Sequence, residues 1–259
     1  MDKQFVDKNI NITRGDEALE LIKSKNDKEF LEEGVVKKVS LDRWKEAQEF
    51  ERNTWCVSNA RGMSTDRNED HMHGFQGYTQ LNFNLHNNNL KLIELGCGPF
   101  TNLRLIIPQI YKTIDRVDLL DPLINDYIKH TVNCTFKNGY LNGRKANLIE
   151  SGIEDFETDE QYDVIVMMNV LEHCRDIDLI FDKIQKMMHK DSLFVFHDVS
   201  VEDDKIDEIM ENNYDAGHPI LLTRSYIEKR VNHFRIMYKN GGIGRYEYEN
   251  SHYFILKLK

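Results

Sequence analysis

The chain has 259 residues, 40% of them hydrophobic, and carries 44 acidic against 34 basic side chains, a formal net charge of −10. That length closes one sizeable core, and the acidic balance weighs against duplex nucleic acid or an anionic membrane as the main partner, since both need a dense positive field. No apolar run approaches membrane-spanning length and the opening MDKQFVDKNINITRGDEALE lacks the apolar segment of a signal peptide, so a cytoplasmic protein is expected.

Cys56, Cys97, Cys134 and Cys174 are far apart with no CxxC pair, a pattern of reduced thiols rather than disulfides or zinc ligands. The first 40 residues are charged and weakly apolar, with a short helix expected over 16–24, and read as a loosely attached extension. Ser40 then predicts a helix N-cap, because Leu41, Trp44, Ala47 and Phe50 follow at spacings of three. Residues 57–76, VSNARGMSTDRNEDHMHGFQ, offer little to bury and predict a loop, either a solvated connector or a substrate-side lid. Residues 1–89 are therefore expected to form an N-terminal helical extension and lid, and 90–259 the ligand-binding domain.

From residue 90 the pattern alternates. Strands are predicted at 92–95, 116–120, 146–149, 162–168 and 193–197, with helices at 103–107, 123–129 and 177–188 between them. Such alternation implies a parallel sheet covered on both faces. The tail departs from it: HFRIMYKN and SHYFILKLK, on either side of GGIG, predict an antiparallel hairpin with Gly241 and Gly242 in the turn region.

The first strand stops in Glu94-Leu95-Gly96-Cys97-Gly98. At the first strand-to-helix turn of such a sheet, glycines let a ligand approach the backbone and the helix N-terminus faces it. A dinucleotide fingerprint would need a glycine where Thr101 stands. Glu94 followed by Gly96-x-Gly98 instead resembles motif I of the class I S-adenosylmethionine-dependent methyltransferases.

The resemblance extends along residues 90–259. VDLLDP puts Asp121 at the end of the second strand, where the family keeps an acid that accepts from both ribose hydroxyls; read by itself, Asp121 also suits an N-cap before Pro122. SGIEDF and QYDVIVMMNVLEHCRD are similar to the third and fourth motifs. By that likeness Ile153 and Glu154 border the adenine and Asn169 lies near the methionine part of the cofactor. The terminal hairpin matches the family's reversed seventh strand. The implied fold is α/β, a Rossmann-like seven-stranded, mostly parallel sheet with a C-terminal antiparallel hairpin and a helical N-terminal extension, and the implied cofactor is S-adenosyl-L-methionine. Phe100 departs from the family where many members carry a third glycine.

A sulfonium methyl is already activated, so positioning is the main requirement. A hydroxyl acceptor also needs a base, whereas a phosphate or carboxylate oxygen does not. His173 after the fourth strand, His197 at the end of the fifth and His218 in DAGHP are the candidates. Each also has a structural reading: a backbone-bonded helix start, a packing partner of Asp198, and part of a turn before Pro219. Some relatives bind a divalent ion through E-x-x-E-H, but Asn169 replaces the first carboxylate here, so no metal is expected.

RWKEAQEFERNTW and GHP are more loosely similar to small methyltransferases encoded with bacterial capsule and lipopolysaccharide genes. That likeness implies a small-molecule acceptor such as a nucleotide-activated sugar or a phosphorylated precursor. Arg61, Arg67, His71, His73, Arg224 and Arg230 would then meet its phosphates, or simply form a solvated face. An RNA or protein methyltransferase and a non-catalytic cofactor-binding subunit are the alternatives.

Overall fold

The computed structural model describes residues 31–32, 35–58, 66–205, 216–241 and 250–259. The helix expected over 16–24, Arg61 and Gly242 lie outside them.

Seven strands make one sheet: β1 (Asn89–Leu95), β2 (Thr113–Leu120), β3 (Asn147–Ile149), β4 (Tyr162–Met168), β5 (Met188–Val199), β6 (Arg235–Gly241) and β7 (Ser251–Lys257). Their spatial order is β6-β7-β5-β4-β1-β2-β3. The five strands from β5 to β3 pair in parallel, and β7 runs antiparallel to both β5 and β6. The expected α/β class and reversed last strand are both present. Every residue of β4 is buried, as a central parallel strand requires when both sheet faces are covered, which is why YDVIVMM reads as a continuous apolar run.

Alternation along the strands sorts the core into two layers. Ile93, Leu95, Ile165, Met167, Phe194 and Phe196 face one side, against Ile180, Phe181 and Ile184 of α6 (Ile177–Met187) and Ile227 of α7 (Arg224–Val231). Leu92, Val164, Val166 and Val195 face the other, with α4 (Leu103–Ile106) and α5 (Ile124–His130). Chain order along the sheet reverses between β1 and β4, and the space beyond their C-terminal ends is where such a sheet receives a ligand.

Ser40 caps α1 (Leu41–Asn53) as predicted, its hydroxyl accepting from the Arg43 N–H at 3.2 Å. Residues 35–39, just before it, are stitched to the sheet domain. Val36 exchanges backbone hydrogen bonds with Leu221, and the Val39 N–H donates to the Arg175 carbonyl at 2.9 Å.

Where the loop expected over 57–76 is described, most of its residues are helical. A π-helical turn spans Thr54–Ser58, α2 spans Asn68–Gly74, a 3-10 turn spans Gln76–Tyr78 and α3 spans Gln80–Asn84. Phe75, Tyr78 and Leu81, spaced by three, are fully buried on the β1 layer. The polar letters that suggested a loop are satisfied internally: the Asn68 side chain donates to the Phe100 carbonyl at 2.9 Å, and His71 bonds Asn102. Phe75→Ala should therefore lower unfolding free energy by about 3–5 kcal/mol in urea titration. A change within about 0.5 kcal/mol would instead mark this stretch as a solvated connector.

Candidate active site

The Glu94 carboxylate is buried at the end of β1. Oε1 accepts from the Asn102 backbone N–H at 2.9 Å and its side-chain amide at 3.0 Å; Oε2 accepts from the Leu103 N–H at 3.1 Å and from the Thr101 hydroxyl. Burial raises its pKa against these bonds. Four donors occupy the roughly four acceptor positions of a carboxylate, so Glu94 anchors the first turn of α4 and has no lone pair left for a ligand.

Gly96 and Gly98 have φ of +66° and +53°, the left-handed region that glycine enters without cost. A Cβ on Gly96 would stand 2.6 Å from a methyl of Val170, so the turn packs directly on the chain leaving β4; a Cβ on Gly98 would meet no heavy atom within 4 Å. The Gly98 N–H donates to Asp121 Oδ2 at 3.0 Å and the Leu123 N–H to Oδ1 at 2.8 Å. Asp121 thus closes its own turn, and each oxygen retains a lone pair. Burial pushes its pKa up to about 6, with the negative charges of Glu51 and Glu94 adding to the rise.

Ile153 is buried in the layer that holds Leu95 and Leu120. Glu154 Oε1 accepts from the N–H groups of Arg175 and Asp176 at 2.7 and 3.1 Å, tying the loop after β3 to the start of α6. Asn169, at the tip of β4 with φ +58°, donates through Nδ2 to Glu172 Oε1 at 3.1 Å.

The three candidate histidines divide two and one. His173 Nδ1–H donates to the Gly217 carbonyl at 3.1 Å and lies 3.7 Å from Glu51 Oε1; its Nε2 lies 3.7 Å from Glu172 Oε1. His218 Nε2 is 3.6 Å from the same Glu172 oxygen, and the two imidazole rings are 4.6 Å apart. His197 is elsewhere. It is 3% exposed, its ring lies 4.7 Å from that of His71 and 4.4 Å from that of Tyr253, and neither of its nitrogens has a hydrogen-bond partner among the described residues. Burial lowers its pKa far below the ordinary value. Asp198 is not its packing partner: that carboxylate accepts from the N–H groups of Val170, Leu171 and Val199 and holds the chain that leaves β4.

Three of the cations expected to meet phosphates are engaged with other side chains. His71 is buried with Nδ1 2.8 Å from Asn102 Oδ1, Arg230 pairs with Asp178, and Arg224 lies 3.8 Å from Glu228. Glu51 was not singled out by the sequence, although a signal exists. Trp44, Gln48 and Glu51 share one face of α1, and that face meets His173: the Trp44 and Gln48 side chains each donate to its carbonyl at 3.1 Å. Trp55 Nε1 donates to Glu51 Oε2 at 2.8 Å and its ring meets Phe100 edge-on at 5.9 Å, which accounts for an aromatic residue in place of a third glycine.

A family model described as a methyltransferase domain matches residues 68–234. The chain is 31% identical over 108 residues to the probable (S)-tetrahydroprotoberberine N-methyltransferase 2 of Papaver bracteatum; this covers 41% of the chain but only 28% of that relative's length. Among solved structures, it is similar to the 1,6-didemethyltoxoflavin-N1-methyltransferase of Burkholderia thailandensis, with a TM-score of 0.55 at 10% identity over 85% of this chain and 92% of that one. It is also similar to an S-adenosylmethionine-dependent methyltransferase of Clostridium acetobutylicum, with a TM-score of 0.52 at 13% identity over 82% and 98%. At these identities the two structures share the fold.

Burial brings His71 and His252 to a pKa of about 4 and holds His197 well below the ordinary value of 6.5. The unfolded chain takes up these protons first, so the stability carried by the neutral rings is complete above pH 6.5 and is lost as pH falls toward 4. Urea midpoints should fall over that window, and His197→Phe should flatten the slope; an unchanged slope would show that the ring is not held neutral.

Proposed function

The chain belongs to the methyltransferase-domain family, and on that footing we propose that it is a class I S-adenosylmethionine-dependent methyltransferase that methylates a hydroxyl oxygen of a small polar acceptor. The observation that carries this reading is the meeting of two half-sites at the tip of β4. On one side lies the Gly96–Gly98 turn with Asp121; on the other, Glu51, Glu172, His173 and His218.

The first half-site fits the cofactor. Gly98 leaves room against its backbone, Asp121 keeps lone pairs for two ribose hydroxyls, and Ile153 offers an apolar wall for an adenine ring. Asn169 would border the methionine part, and Glu154 would act by fastening the adenine-side loop. S-adenosylmethionine, when bound, supplies a sulfonium methyl that needs no further activation.

The second half-site faces the acceptor. Because the Gly217 carbonyl can only accept, His173 carries its proton on Nδ1 and its lone pair on Nε2. That lone pair lies in the cluster with Glu172 and His218, which is where a proton leaving the acceptor would go, with Glu51 beside Nδ1 to balance the charge gained. His197 would serve packing.

The carboxylates of this half-site favour an uncharged acceptor over the nucleotide-activated sugar or phosphorylated precursor implied by the looser resemblance, whose phosphates they would repel. They also favour a second reading, an amine acceptor, in keeping with the names of the Papaver and Burkholderia relatives as N-methyltransferases.

Calorimetry should give saturable binding of S-adenosylmethionine that Gly98→Val and Asp121→Ala weaken at least tenfold. With a methylated acceptor in hand, His173→Ala should lower kcat by about a hundredfold or more while His197→Ala changes it far less. The reverse order would move the base to the buried stack. An N-methylated product would establish the second reading.

A further inference from the structure

We infer that Glu172, His173 and His218, with Glu51 beside them, bind a divalent first-row transition-metal ion on the acceptor side of the site. The inference rests on the acceptor-side reading of this cluster and adds a ligand to it.

Three distant segments converge here: α1, the turn after β4 and the stretch before β6 that carries Gly217 and His218. Glu172 Oε1 lies 3.7 Å from His173 Nε2 and 3.6 Å from His218 Nε2. Two donors on one ion at about 2.1 Å stand about 3.0–3.4 Å apart, so an ion would draw each of these two pairs inward by only a few tenths of an ångström. Ligand atoms of Glu51, His173 and His218 also lie within 4.8 Å of one another.

The outer contacts are those a metal site needs. A ligating histidine is usually fixed by its second nitrogen on a carbonyl or carboxylate, and His173 Nδ1–H has the Gly217 carbonyl at 3.1 Å and Glu51 behind it at 3.7 Å. Asn169 donates to Glu172 and Trp55 to Glu51, which fixes both carboxylates. The side chains are 14% to 36% exposed, so an ion placed among them stays open to an acceptor. Two imidazoles and a carboxylate suit Zn²⁺, Fe²⁺ or Mn²⁺ better than Mg²⁺, which prefers an all-oxygen octahedron. The expectation of no metal followed from Asn169 in the place of a carboxylate. His218 and Glu51 supply donors from outside that motif.

An ion here would take the acceptor oxygen as a further ligand and ease loss of its proton. With the Nε2 lone pair of His173 on the ion, Glu51 replaces His173 as the base: the O–H bond breaks with its electron pair left on oxygen, and the proton passes to the Glu51 carboxylate. The oxygen–carbon bond then forms as the carbon–sulfur bond breaks, with its electron pair remaining on sulfur.

The test is calorimetric titration of chelator-treated, tag-free protein with ZnCl₂, MnCl₂ and MgCl₂. We expect one-to-one binding of Zn²⁺ or Mn²⁺ at least tenfold tighter than Mg²⁺, weakened at least tenfold in His218→Ala and in Glu172→Gln. Affinity for S-adenosylhomocysteine, measured on the same samples, should be unchanged and serves as the control for folding. Absence of saturable binding, or equal binding by the variants, overturns the inference. Methyl transfer that persists at full rate in excess chelator also overturns it, while leaving the methyltransferase reading intact; failure of that reading would appear separately, as loss of S-adenosylmethionine binding.

Discussion

The structure depends most on one buried carboxylate, Glu94. Removing its partners would strand a charge in the core at a cost of several kcal/mol, so the four donors from Thr101, Asn102 and Leu103 fix where α4 begins relative to β1. With that start fixed, Cys97 and the two glycines have no choice but to bend outward between strand and helix. Asn102 carries the constraint further. Its amide nitrogen serves Glu94 while its oxygen bonds His71, and the His71 ring lies on His197 of β5. One polar chain thus links the glycine turn, α2 and a strand two places away in the sheet.

The two halves of the proposed site, one for the cofactor and one for the acceptor, are built by different means. The cofactor half is mostly backbone: left-handed glycines, amide groups and the end of a strand, all set by the topology of the sheet. The acceptor half is made of side chains brought from separate segments, and α1 is its frame, because Trp44 and Gln48 hold the carbonyl of His173 itself. Asp198, buried under the same turn, anchors the amides of Val170 and Leu171 and so fixes Glu172 and His173 at the tip of β4.

The sheet and its motifs were legible because their signals are local. A continuous apolar run marks a central strand, and paired glycines after one mark the turn. Residues 68–84 were less legible, since Asn68 and His71 look solvated in a sequence and are satisfied only by Phe100 and Asn102, which lie far along the chain. The surroundings of the histidines were hidden for a related reason. Sequence position puts His197 at a strand end, but alternation turns its ring into the layer beneath α2 while Phe196 faces the opposite one. Glu94 stands in the sequence only as part of the motif, and its four hydrogen bonds to the first turn of α4 become visible in the fold. No spacing rule announces that Glu51, His173 and His218 meet.

The grip of α1 on a main-chain carbonyl has an evolutionary consequence. Main-chain groups are present whatever residue stands at that position, so the helix can stay docked while the side chains it displays are exchanged. On the proposed reading, donor chemistry and recipient choice are then separately heritable: drift along the inner stripe of α1 can redirect which molecule is modified, while the glycine turn and its carboxylate anchor are inherited unchanged.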